Sequence, residues 1–133
     1  MMQVELDHIG FVVNNIENAI EYFVGNFGYN LRSKAMYDEL RHVKLAMLEL
    51  NGLCLELIQP LDASSPSYDF MLSGGGLHHL CYATDDLEAK IKELQNNKHT
   101  LIKRAECAPL LSGKKVAFLF SRETKQIIEL VEN

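Results

Sequence analysis

The stretch Leu6-Asp7-His8-Ile9-Gly10-Phe11-Val12-Val13 reads as a strand, and Asn14-Asn15 then hands over to a helical period from about Glu17 to Phe27. On that strand His8, Gly10 and Val12 share one face, while Ile9, Phe11 and Val13 share the other. The same change of period returns at Leu77-His78-His79-Leu80-Cys81-Tyr82-Ala83-Thr84-Asp85-Asp86, 71 residues further on. Leu87, Ile91 and Leu94 then mark the apolar face of a helix over Leu87–Asn96. Asn15 and Asp86 stand where a side-chain oxygen caps the first turn.

The ends of the two stretches match as well. Leu53–Ile58 and Gln126–Val131 each read as an apolar strand carrying one carboxylate, Glu56 and Glu129. Between helix and last strand the first copy offers Asn30–Tyr37 and Val43–Leu50, with a hairpin turn at Asn51-Gly52. The second offers Thr100–Lys103 and Val116–Ser121. The prediction is an α+β fold. Two pseudo-symmetric βαβββ modules form curved, mainly antiparallel sheets around a metal-binding cleft. Residues 1–133 make one domain, with module one over about 1–60, a linker over about 61–76 and module two over about 77–133.

Composition narrows the function. At 133 residues the chain holds one real core, and a formal net charge of −5 offers no excess of cations to replace phosphate counterions, so nucleic acid is not an expected partner. No apolar run approaches the ~20 residues that span a bilayer. The acidic start Met1-Met2-Gln3-Val4-Glu5 does not read as a signal peptide. Cys54, Cys81 and Cys107 are odd in number, widely spaced and form no CxxC pair, which argues against a disulfide scaffold and fits a reducing cytoplasm.

Each copy thus places one His at the start of its first strand and one Glu in its last. Taken singly, such residues face solvent or satisfy a hydrogen bond more often than they ligate. A repeat that sets both pairs equivalently points to His8, Glu56, His79 and Glu129 as one metal site. Two carboxylates balance a 2+ charge, and two imidazoles suit Ni, Co, Mn, Fe or Zn rather than Ca. Four protein ligands leave two octahedral positions for neighbouring substrate oxygens. His78 competes with His79, but the register against His8 selects His79; His42 and His99 are expected to face solvent. Cys54 and Cys81 fall on the ligand-bearing face as packing residues, and Lys103, Arg104, Lys114, Lys115 and Arg122 are cations available to an anionic substrate group.

Asp7-His8-Ile9-Gly10, Leu55-Glu56-Leu57-Ile58-Gln59-Pro60, Ser65-Pro66, Gly75-Gly76-Leu77-His78-His79 and Ile128-Glu129-Leu130 together resemble the vicinal oxygen chelate (glyoxalase/bleomycin resistance/dioxygenase) superfamily. Within it they resemble glyoxalase I-like proteins and methylmalonyl-CoA epimerase. The resemblance implies a lactoylglutathione lyase-like or epimerase-like isomerase. Such an enzyme moves a proton next to a carbonyl through a metal-bound enediolate, on a small thioester or hemithioacetal substrate, as a homodimer. Glu129 and Glu56 are the catalytic candidates. Glu129 is the better base, because its strand lies near the Val131-Glu132-Asn133 end and is freer to yield. An extradiol-type dioxygenase and a metal-free binding or resistance protein are the alternatives on the same fold. Three features depart from the relatives. Ser121–Gln126 replaces an Asp-Pro-Asp-Gly turn, Phe118-Leu119-Phe120-Ser121 lacks a following His-Pro, and an acidic residue proposed as a base in some epimerases falls near Lys44.

Overall fold

The computed structural model describes residues 3–133, leaving aside the side chains of 105–107, so Met1-Met2 and the Cys107 thiol lie outside the described residues. The element order is β1 (Glu5–Val12), α1 (Ile16–Phe27), β2 (Asn30–Asp38), β3 (Val43–Leu50), β4 (Leu53–Pro60), α2 (Tyr68–Leu72), β5 (Gly76–Thr84), α3 (Leu87–Asn96), β6 (His99–Ala108), β7 (Lys114–Ser121) and β8 (Gln126–Glu132). This is the expected α+β fold with its repeated β-α-β-β-β order.

The chain forms two compact units, one over Ile9–His78 and one combining the chain up to His8 with His79–Asn133. In the first, the strands run in the order β2-β3-β4-β1. β4 lies parallel to β1 and antiparallel to β3, with Gly10 opposite Glu56 and Met47 opposite Glu56 on the other side. Alternation sends Ile9, Phe11, Leu55, Leu57, Ala46 and Leu48 to one face, where Ile16, Ile20 and Phe23 of α1 pack on them. Glu56 therefore lies on the opposite face.

The second unit repeats the arrangement. Its strands run β5-β8-β7-β6, with β5 parallel to β8 and the rest antiparallel. Leu87 and Ile91 of α3 cover Ala117, Leu119 and Leu130. The other face carries Cys81, Ala83, Val116, Val131 and Phe118.

Both helices start in the same way. Asn15 accepts from the Asn18 N–H and Asp86 from the Ala89 N–H, as capping residues should. A second acceptor arrives from the last strand of each copy: Gln59 Oε1 takes the Ile16 N–H at 2.8 Å, and Glu132 Oε1 the Leu87 N–H at 3.1 Å. Each lies three residues beyond the strand glutamate. The helix start and that glutamate are thereby tied to one strand.

Candidate metal centre

β5 and β8 bring two of the expected ligands together. Cys81 pairs with Glu129 and His79 with Ile127 in the parallel register, so His79, Cys81 and Glu129 share the face turned away from α3. His8 joins them from β1. All three are buried, at 0% exposure for His8, 3% for His79 and 5% for Glu129. Glu129 Oε1 is 3.2 Å from His8 Nε2 and 3.0 Å from His79 Nε2, and the two Nε2 atoms are 3.4 Å apart. The rings meet edge-on, with centroids 5.5 Å apart, and Phe118 lies edge-on to His79 at 6.3 Å.

Burial alone would raise the Glu129 carboxyl, but hydrogen bonds from His79 and His8 and their charge overcome it and lower it to about 2. A carboxylate so held stays ionised. The neighbouring Cys81 thiol is pushed up to about 12, chiefly by burial and against a hydrogen bond from His8. It therefore remains an S–H group and packs with Ala83 and Val131, as the sequence reading expected.

The donor set fits a divalent transition ion. Donors in neighbouring positions on an ion at ~2.1 Å stand about 3.0–3.4 Å apart, the spacing of the His8, His79 and Glu129 atoms. A side-chain set of two imidazole nitrogens and an ionised carboxylate oxygen is borderline in softness, as Zn, Fe, Co and Ni prefer. Glu56 lies in the other unit, buried on β4 opposite Gly10.

The remaining histidines separate from this cluster. His78 packs edge-on against Phe70 of α2, with centroids 4.9 Å apart. His42 is partly exposed, with Asp62 3.8 Å from its Nδ1. His99 corrects the expectation of a solvent-facing residue. It is half-buried, and its Nδ1 lies 3.1 Å from the Leu94 carbonyl and 2.8 Å from that of Asn97, closing the end of α3. Half-buried Cys54 accepts a contact from Arg32 Nη1 at 3.1 Å. Lys103, Arg104, Lys114, Lys115 and Arg122 are exposed, and Arg104 pairs with Glu88 at 2.9 Å. Lys44 Nζ lies 3.3 Å from Glu17 Oε1. Sequence reasoning missed Asp7, whose Oδ2 lies 2.8 Å from His8 Nδ1, and the helix-holding pair Gln59 and Glu132. The pair was recoverable from its equal spacing beyond Glu56 and Glu129.

Two βαβββ copies with histidine on the first strand and glutamate on the last define a vicinal-oxygen-chelate type of protein. The chain belongs to the Glyoxalase/Bleomycin resistance protein/Dioxygenase superfamily, whose profile matches residues 7–118. It is 33% identical over 129 residues to the uncharacterized protein YqjC of Bacillus subtilis, covering 96% of this chain and 91% of that one. It is 28% identical over 121 residues to an ethylmalonyl-CoA/methylmalonyl-CoA epimerase of Cereibacter sphaeroides, covering 89% of each. The structure of methylmalonyl-CoA epimerase from Mycobacterium tuberculosis superposes with a TM-score of 0.82 at 26% identity, over 96% of this chain and 86% of the other.

Proposed function

We propose that this chain is a metal-dependent isomerase that moves a proton on the carbon next to a thioester carbonyl, with acyl-CoA thioesters as its substrate class. The observation that carries the reading is the convergence of His8 Nε2, His79 Nε2 and Glu129 Oε1 within 3.4 Å of one another on a buried face. Those three side chains would hold the ion, and Glu56, their partner in the repeat, would complete the set. When bound, the ion supplies positive charge for the oxygen that becomes negative as the adjacent C–H loses its proton.

The rest falls to the chain's own groups. Both histidine contacts on Glu129 use Oε1, and neither uses Oε2, so Oε2 is the atom that receives the carbon-bound proton. Glu56 is the second candidate for the same task. On the face that carries His79 and Glu129, Cys81 packs with Ala83, Val116 and Val131, and this apolar surface strengthens the electrostatics beside it. Return to the same carbon on its opposite face, with Glu56 as the donor, inverts a stereocentre, as in an epimerase. Return to the neighbouring carbon converts a hemithioacetal to a thioester, as in glyoxalase I. The epimerases among the relatives favour the first outcome.

The expected assembly is a homodimer in the cytoplasm. It is supported by edge strand β2, which leaves Leu31, Met36 and Tyr37 exposed. Among the described residues no helix is long and apolar enough to cross a membrane.

The test is proton NMR of the metal-loaded protein in deuterated water, with methylmalonyl-CoA in one arm and methylglyoxal plus several thiols in the other. Loss of the α-proton signal of methylmalonyl-CoA is expected. Exchange only in the methylglyoxal arm reassigns the substrate, and exchange in neither arm overturns the reading.

A further inference from the structure

His8 is fully buried, and its two ring nitrogens face different partners. Nδ1 lies 2.8 Å from Asp7 Oδ2, and Nε2 faces Glu129 Oε1 and His79 Nε2. An ionised carboxylate can only accept, so the Asp7 contact requires a proton on Nδ1. The proton that Nε2 shares with Glu129 Oε1 in the ion-free state is then the one an ion displaces, and the imidazole that remains is neutral with its lone pair on Nε2. We propose that Asp7 is a positioning residue that fixes His8 in the Nδ1–H form and aims the Nε2 lone pair at the ion.

Two further observations bear on this. The Asp7 side chain is only about two-thirds covered, at 32% exposure, so it can be replaced without opening a core cavity. The position that matches Asp7 in the repeat is His78, whose ring packs on Phe70 instead. The second copy therefore has no carboxylate at that position.

The consequence for metal affinity rests on the reading proposed above, whereas the protonation of Nδ1 does not. The experiment uses the full chain labelled with 15N-histidine, as wild type, Asp7→Ala, Asp7→Asn and His78→Ala. Zinc affinity is measured by competition with a chelator, and the His8 Nδ1–H resonance is followed with and without zinc. Wild type is expected to show an exchange-protected Nδ1–H in both states. Asp7→Ala should lose that protection and bind zinc ~10–100-fold more weakly, the usual scale for an orienting partner. Asp7→Asn, which keeps an acceptor oxygen, should recover part of both, and His78→Ala should change neither. A protected Nδ1–H that persists in Asp7→Ala overturns the proposal, as does zinc affinity unchanged in that variant. A wild-type protein that takes up no zinc but shows the Asp7-dependent Nδ1–H overturns the metal reading and leaves the positioning role standing.

Discussion

Glu129 meets both imidazoles through one oxygen, and that division between Oε1 and Oε2 predicts how substitution will act. Glu129→Gln keeps an oxygen that can ligate but removes the basicity. Metal content, read by mass spectrometry, should stay near normal, while deuterium exchange into substrate falls ~10²-fold or more. Glu56→Gln should cost less. If the two costs are exchanged, Glu56 is the base. Cys81 gives a prediction of a different kind. Its folded-state thiol is raised to about 12, whereas an unfolded thiol ionises near ~8.5. The folded state thus holds a proton that the unfolded state loses. The stabilisation is complete below pH ~8.5 and disappears as the pH rises toward 12. Urea midpoints followed from pH 8 to 11 should fall more steeply for wild type than for Cys81→Ala. The convergence of His8, His79 and Glu129 was legible at this scale because the repeat set His and Glu in register twice. The Asp7 contact was not, because alternation sends adjacent residues to opposite faces and the return of one carboxylate onto its neighbour's ring is a rotamer property.

Local period was enough for most elements, and its failures have identifiable causes. α1 and α3 present apolar stripes and capping residues, so both were readable almost to the residue. The five residues of α2 are too few for a 3.6-residue period to declare itself, and they lie in a stretch that reads as linker. β6 extends to Ala108 rather than Lys103, and the successive exposed residues Ile102, Lys103 and Arg104 give no in-out alternation to reveal the extension. Two glycines separate the element-scale effects. Gly25 sits within α1 with nothing within 4 Å of an added Cβ, so Gly25→Ala should stabilise by about 0.5–1 kcal/mol. Gly75 has a φ of +68°, and an added Cβ would stand 2.7 Å from the Val12 carbonyl oxygen. Gly75→Ala should therefore cost about 2 kcal/mol or more. Thermal melts of the two variants should move in opposite directions.

At the scale of the whole molecule, an ion held by His8, His79 and Glu129 would bind only the folded chain, because only folding brings the three together, so binding should register as stability. Zinc, nickel or cobalt at 100 times its dissociation constant should add about 2.7 kcal/mol and raise Tm, an effect reversed by chelator and absent with calcium. An unchanged Tm would remove the ion from the account of this fold. The division of β1 has a consequence for the order in which a ribosome delivers the parts. Ile9–His78 is contiguous, so it can collapse as soon as it has left the exit tunnel. The unit that holds His8, His79 and Glu129 needs the chain up to His8 from before that block and everything from His79 after it. Its last strand, β8, carries Glu129. His8 is thus made before that block, yet it meets its partners only once β8 has been synthesised, with the whole of the other unit already strung between them. Metal loading is on this view a late event in biogenesis, and a nascent chain halted before β8 should hold a folded Ile9–His78 block that takes up no ion.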